Sequence, residues 1–161
     1  MATPATTDAV RVEPGTAGDL DHVMEVMNSA FGTRFGEAWT RSQLAGILPM
    51  AGVSLVLARD CDSGAIKGFC LSRTAASEAE LLLIAVLPSH QGQGIGGVLL
   101  DHFLECGRKE NVTRAHLEVR SGNPAVGMYE AAGFSAVGRR RNYYHAPNGM
   151  RYDAITLAYD F

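Results

Sequence analysis

The chain has 161 residues, enough for one domain with a single hydrophobic core but too few for separate cofactor and substrate domains. A formal net charge of −3 provides no general attraction for nucleic acid, and no stretch has the length and apolar character of a membrane span. Three cysteines without C-x-x-C spacing predict neither a disulfide framework nor a zinc site. We expect a cytoplasmic, metal-free protein with a flexible tail at residues 1–8 and one folded domain at residues 9–161.

One short strand and two helices are predicted in the first third of the chain. The alternation at residues 10–12 indicates the strand. Thr16 with Asp19, and Thr40 with Gln43, have the spacing of a capping box, in which two residues satisfy free amides at the start of a helix. Apolar residues follow each box at helical spacing: Leu20, Val23, Met24, Met27 and Phe31 after the first, and Leu44, Ile47 and Leu48 after the second.

Three strands are predicted next. Residues 53–58 and 65–73 flank a turn-forming segment at 60–64 and therefore indicate an antiparallel hairpin. Residues 79–87 are almost continuously apolar, which is typical of a strand buried on both faces in the middle of a sheet.

The segment that follows contains four glycines among six residues, Gly92-Gln93-Gly94-Ile95-Gly96-Gly97. It fits the G-x-G-x-x-G fingerprint of dinucleotide-binding proteins, and Glu118 follows at about the expected distance. However, four residues separate the strand from the first glycine, Glu118 lies in mid-strand, and too few elements remain to complete that fold. We therefore reject a dinucleotide site.

The same glycines still favour an anion site. Backbone amides in a glycine-rich turn can point into one concavity, and the next helix adds the positive end of its dipole. A tight turn alone would need only one or two glycines, so we prefer a diphosphate ligand. Helical spacing then continues through Ile95, Val98, Leu99, Phe103 and Cys106.

The last third predicts one strand, one helix and a terminal hairpin. Residues 114–120 alternate as in a strand. Asn123 and Pro124 suit the start of a helix, and Gly133 suits the position just past its end. Strands at 136–144 and 151–160 close the chain. The order is βααβββαβαββ, with one parallel crossover through the glycine-headed helix.

The stretch Gln91-Gly92-Gln93-Gly94-Ile95-Gly96 fits the pattern Q-x-x-G-x-G and resembles the acyl-CoA loop of the GNAT N-acetyltransferases. The element order agrees over nearly the whole chain. The resemblance implies the α/β GNAT fold, a mixed, mostly antiparallel sheet of about seven strands with about four helices. Within the superfamily, Leu117-Glu118-Val119-Arg120 and Arg140-Arg141-Asn142-Tyr143-Tyr144 are most similar to the RimI type, which acetylates the N-terminal alanine of a ribosomal protein.

This resemblance also implies roles for individual residues, with acetyl-CoA as co-substrate and no metal. Glu118 and Tyr129 would be the catalytic pair, and Asn123 would contact the cofactor. Asn123 precedes Tyr129 by six residues, where the family usually has seven. The pantetheine arm would lie on Ile84, Ala85 and Val86, and the diphosphate on Gln91, Gly92, Gln93, Gly94, Ile95, Gly96 and Gly97.

Acetyl transfer needs a base for the amine and an acid for the departing thiolate. Alternation places Glu118 on a polar strand face, where it could be the base or simply a solvated glutamate paired with Arg120 or His116. Tyr129 could be the acid or an ordinary core aromatic. His90 and His116 are alternative acids or bases.

The resemblance further implies that Tyr143 and Tyr144 form a wall of the groove for a peptide N-terminus, with Trp39 as the opposite wall. Three successive arginines at 139–141 could instead contact nucleic acid, but they alternate between strand faces, and we expect no such partner, nor a membrane. We expect acetyl transfer to the N-terminal alanine of a ribosomal protein. The alternatives are another protein N-terminus, a lysine or a small amine as acceptor, or an acyl-CoA sensor without turnover.

Overall fold

The computed structural model describes residues 9–161, so the predicted tail at residues 1–8 lies outside the described residues. Within that range, seven strands and four α-helices follow the predicted order. No helix in it has the length and apolar character needed to cross a bilayer. The strands are β1 (Val10–Pro14), β2 (Val53–Asp60), β3 (Ile66–Ala75), β4 (Glu78–Val86), β5 (Arg114–Arg120), β6 (Ser135–His145) and β7 (Arg151–Asp160). The helices are α1 (Leu20–Phe31), α2 (Arg41–Ile47), α3 (Ile95–Lys109) and α4 (Ala125–Ala131).

Both predicted capping boxes form. The Thr40 amide donates to the side-chain oxygen of Gln43 at 2.8 Å, and the Gln43 amide donates to the Thr40 hydroxyl at 3.1 Å. Thr16 and Asp19 make the same arrangement around a single 3-10 turn that leads into α1. Two free amides are satisfied in each box, which fixes where these helices begin.

The seven strands form one mixed sheet in the order β1-β2-β3-β4-β5-β7-β6. All neighbouring pairs are antiparallel except β4 and β5, which run parallel and are connected through α3. The predicted fold class is therefore confirmed. Helices α1 and α2 pack on one face of the sheet and α3 and α4 on the other, because alternate residues of each strand enter different cores: Leu55 and Leu57 the first, Val56 and Ala58 the second.

An irregularity in β4 changes which core its side chains enter. Leu71 of β3 lies opposite Leu83, and the next residue, Ser72, lies opposite Leu81, so Leu82 is an extra residue in β4. Before this bulge, Leu81 packs with α3 and α4. After it, Leu83 packs with α1 and α2.

The parallel pairing of β4 with β5 also ends at this point. It extends only from Glu78, opposite Arg114, to Leu81, opposite Leu117. Beyond it the two strands diverge, although both continue for several residues. The prediction that β4 is buried on both faces is therefore only half right, since Leu82, Ile84 and Val86 remain partly exposed along the opening.

Candidate active site

A cleft of about 720 Å³ occupies the opening between β4 and β5. Every predicted site residue lines it except Gln93, which borders a much smaller cavity beside Lys67 and Val98. Of the two alternative histidines, His90 lines the cleft and His116 does not. Residues far apart in sequence thus meet in the one place where the sheet is split.

The glycine turn stands at the end of the cleft that lies beyond β4. Gly92 and Gly94 have φ values of +77° and +85°, a conformation that strongly favours glycine. The first backbone bond of α3 joins the Val98 amide to the Gly94 carbonyl at 3.0 Å, so the amides of Gly96 and Gly97 have no acceptor within the helix. These free donors, with the dipole of a 15-residue helix behind them, suit the diphosphate of coenzyme A.

Open space surrounds part of this turn. A Cβ added at Gly92 or Gly97 would meet nothing within 4 Å, whereas one at Gly96 would lie 3.1 Å from the Met128 sulfur. The Gln91 side chain folds back instead, because its amide nitrogen donates to the Val86 carbonyl at 3.1 Å. In this position Gln91 braces the end of β4 against the turn.

Glu118 is held firmly at the wall of the cleft. Its side chain is 10% exposed, and each carboxylate oxygen has its own partner: Arg140 Nε at 3.0 Å and the Thr156 hydroxyl, which donates at 2.8 Å. The Tyr144 hydroxyl donates to the Glu118 carbonyl at 3.4 Å. Partners on β6 and β7 therefore set the direction of this carboxylate.

The alternative of a solvated Glu118 paired with Arg120 or His116 is wrong. Arg120 pairs with Glu37, and His116 Nε2 lies 4.0 Å from Glu80. The physical reason is the register of the sheet, which places Thr156 of β7 directly opposite Glu118. Neighbours across the sheet are closer than the next polar residues along one strand.

Tyr129 presents a protonated phenol to the cleft. The residue is 5% exposed, and its ring packs edge-on against Phe134 with 5.9 Å between centroids. Burial raises the pKa of Tyr129 well above its ordinary value, so the hydroxyl keeps its proton at neutral pH. Within residues 9–161, every fully buried side-chain oxygen or nitrogen has a hydrogen-bond partner. The Tyr129 hydroxyl has none, so it is not fully buried and opens to the cleft that the residue lines.

Aromatic side chains from two separate segments border the cleft. Trp39 comes from the loop of residues 32–40 between α1 and α2, which we call the α1–α2 loop. Tyr143 and Tyr144 come from β6 and contact each other edge-on at 5.0 Å. Tyr144 is partly buried, and this burial, with the negative charge of Glu37 nearby, raises the pKa of its phenol.

A buried ion pair that the sequence did not predict lies beside the cleft. Glu37 Oε1 lies 3.1 Å from Arg120 Nε, and the two side chains are 9% and 10% exposed. The Asn123 amide nitrogen donates to Glu37 Oε2 at 3.0 Å, while the Asn123 oxygen accepts from the Ala125 amide at 2.9 Å and caps α4. Nothing in the irregular stretch around Glu37 could have revealed this contact, because it depends on a partner 83 residues away.

The Acetyltransferase (GNAT) family matches residues 20–134, which include α1, the glycine turn, Glu118 and Tyr129. The chain belongs to the GNAT family. This membership agrees with the resemblance inferred from the glycine segment.

Three GNAT proteins illustrate the similarity. The ribosomal protein bS18-alanine N-acetyltransferase of Haemophilus influenzae is 39% identical over 97 residues, which are 60% of this chain and only 66% of that protein. A Bacillus subtilis protein to which the same activity is provisionally assigned is 32% identical over 148 residues, 89% of each chain. The crystal structure of the Escherichia coli ribosomal-protein-S18-alanine N-acetyltransferase superposes with a TM-score of 0.83 at 29% identity, covering 94% of this chain and 93% of that one.

Proposed function

We propose that this GNAT protein transfers the acetyl group of acetyl-CoA to the N-terminal α-amine of a protein, with the N-terminal alanine of a ribosomal protein as its substrate. The observation that carries the proposal is the split between β4 and β5, which opens beside the free amides of the glycine turn and between Glu118 and Tyr129. The names of the similar bacterial proteins support the choice of acceptor. A cytoplasmic location suits such a substrate.

The residues around the cleft divide between donor and acceptor. The glycine turn would bind the diphosphate, and the edge of β4 at Ile84 to Val86, which has no strand partner on that side, offers backbone groups to the pantetheine arm. Acetyl-CoA supplies the activated thioester. The tyrosines of β6 and Trp39 would enclose the first residue of the peptide from opposite sides.

Glu118 would accept the proton of the attacking amine, directly or through water. The ion pair with Arg140 and the hydrogen bond from Thr156 hold the carboxylate in one orientation, which a general base needs. As the amine nitrogen bonds to the carbonyl carbon and the carbon–sulfur bond breaks, Tyr129 would give its proton to the departing sulfur. A backbone amide near Val86 would meet the negative charge that develops on the carbonyl oxygen.

The acceptor chemistry favours an α-amine. An α-amine with a pKa of about 8 is roughly 20% neutral at pH 7.4, whereas a lysine with a pKa of about 10.4 is only about 0.1% neutral. One carboxylate base therefore suits an amine that is already partly neutral.

The test is a thiol-release assay with acetyl-CoA and a peptide that begins with the alanine of the ribosomal protein. A matched peptide with a blocked N-terminus and a free lysine is the control. Turnover of the first peptide alone is expected. Equal turnover of both peptides would exclude the α-amine, and binding of acetyl-CoA without any turnover would favour a sensor instead.

A further inference from the structure

The α1–α2 loop is irregular, yet contacts along its length fix it in place. Gly36 has a φ of +70°, and a Cβ there would collide with the carbonyl oxygen of His145. The Phe35 ring stacks edge-on against Tyr152 at 5.0 Å and carries the Arg120 guanidinium 3.6 Å above its centroid. The loop is thus pressed against β6, β7 and the end of β5.

Glu37 is the central anchor of this loop. Both of its carboxylate oxygens are used, one by Arg120 and one by Asn123, and the pair is almost completely removed from solvent. A buried ion pair contributes little net stability on average, but removing one partner leaves an uncompensated charge. Such a pair is better suited to fixing one arrangement than to holding the fold together.

The Glu37 link connects the two sides of the proposed reaction. Trp39, two residues further along the loop, lines the cleft and is the proposed wall for the acceptor. The Asn123 side-chain oxygen accepts from the amide of Ala125, the first residue of α4, and this helix carries Tyr129. The position of the Trp39 wall is therefore set relative to the helix of the proposed acid.

We propose that Glu37 determines specificity for the first residue of the acceptor: by tying the α1–α2 loop to Arg120 and Asn123, it holds Trp39 in the wall of the cleft and so restricts the space for that residue's side chain. This inference rests on the proposed peptide N-acetyltransferase activity. Glu37 is a positioning residue, since it acts through the loop and not on the reacting atoms. Loss of the link lets the wall move outward and admits larger first residues.

The test compares peptides that differ only in their first residue, alanine or leucine. In Glu37→Gln the ratio of kcat/KM for alanine over leucine is expected to fall about tenfold, the scale on which apolar pockets distinguish side-chain sizes. The change should lie mainly in the peptide KM, with acetyl-CoA affinity unchanged. Asn123→Ser breaks the link from the other side while keeping a capping hydroxyl, and should shift the ratio in the same direction.

A double variant tests the link itself. In Glu37→Gln with Asn123→Asp, the donor and acceptor exchange places, the negative charge stays near Arg120, and aspartate still caps α4. The ratio is expected to return toward the wild-type value. The matched control is Asp21→Asn, which breaks the exposed Asp21–Arg41 pair next to the same loop and should leave the ratio unchanged.

The outcomes separate the two proposals. A wild-type protein that acetylates no peptide would overturn the proposed function. A wild-type protein that acetylates both peptides equally well would overturn only the role of Glu37. An unchanged alanine-to-leucine ratio in Asn123→Ser would also overturn the role of Glu37, even if Glu37→Gln did not fold. The same conclusion would follow if the double variant were no more selective for alanine than either single variant.

Discussion

Replacing Tyr129 by phenylalanine separates a catalytic phenol from an ordinary core aromatic. The ring keeps its packing against Phe134, and the oxygen that is removed has no hydrogen-bond partner among residues 9–161. No buried group is left unsatisfied, so the free energy of unfolding should change by less than about 1 kcal/mol. If Tyr129 is only a core aromatic, Tyr129→Phe should show this small change in stability and no change in turnover.

The catalytic role predicts a much larger effect on turnover. A positioned proton donor contributes about 10²- to 10⁴-fold, so kcat of Tyr129→Phe should fall by that factor. Burial raises the pKa of Tyr129, so the phenol is protonated throughout assays between about pH 6 and 9. The loss should therefore be the same at every pH in this range, and it should shrink with thioesters of more acidic thiols, which depart without a proton.

Thiol release measures kcat, calorimetric titration measures acetyl-CoA affinity, and urea unfolding measures stability. Tyr159→Phe is the control, because its hydroxyl accepts from exposed Arg108 and lies outside the cleft. Wild-type kcat in Tyr129→Phe would refute the role of the phenol. A loss of kcat matched by an equal loss of acetyl-CoA affinity would also refute it, since the hydroxyl would then bind and not protonate.

Three further predictions concern the rest of the site and the core. Gly94→Ala forces a side chain into φ +85° and should weaken acetyl-CoA binding and destabilise the protein by about 1 kcal/mol. Gly46→Ala in α2, outside the cleft, points into open space and should do neither. Calorimetric titration and urea unfolding measure the two effects, and equal acetyl-CoA affinities would contradict a diphosphate site at the glycine turn. Arg140→Gln should lower kcat/KM, because the Glu118 carboxylate loses the ion pair that helps to orient it, while exposed Arg141→Gln should leave kcat/KM unchanged; thiol release measures both, and equal rates in the two variants would contradict the orienting role of Arg140. Burial raises the pKa of the Cys70 thiol to about 12, so the folded state holds this proton more tightly than the unfolded chain does. The thiol's contribution to the free energy of unfolding should be complete below about pH 8.5 and should fall as the pH rises to 10, by at most about 1.4 kcal/mol per pH unit. Cys70→Ala should have a lower free energy of unfolding that depends less on pH over this range.

Features set by neighbouring residues were predictable from the sequence. The capping box of Thr40 and Gln43 spans three residues, and each member needs only the other to form it. The glycine turn could also be predicted, because the positive φ values of Gly92 and Gly94 depend on these residues themselves and not on distant partners. The polar face of β5 follows from alternation alone.

Contacts that depend on the register between distant strands were not predictable. From the residues alone, Glu118 could be either a base or a solvated glutamate, because its partners, Arg140 and Thr156, come from β6 and β7 and nothing near Glu118 in the sequence indicates which residues will lie opposite. Glu37 is a stronger case, since its segment has no periodicity and its partners follow more than 80 residues later. A charged residue in such a loop resembles any exposed one.

The separation of β4 from β5 coincides with a bulge that the hydrophobic pattern of β4 does not reveal. An apolar run predicts a central strand, and β4 is one, but the extra residue Leu82 leaves the run looking continuous while the side chains exchange faces. A bulge also increases strand twist, which turns the second half of β4 away from β5. The unpaired edge and the glycine turn are then consecutive along the chain, so the same few residues that end the pairing also begin the anion site. In the same register, a regular β4 could pair with β5 as far as Ile84, opposite Arg120, and would narrow the cleft with the glycines and Glu118 both still in place.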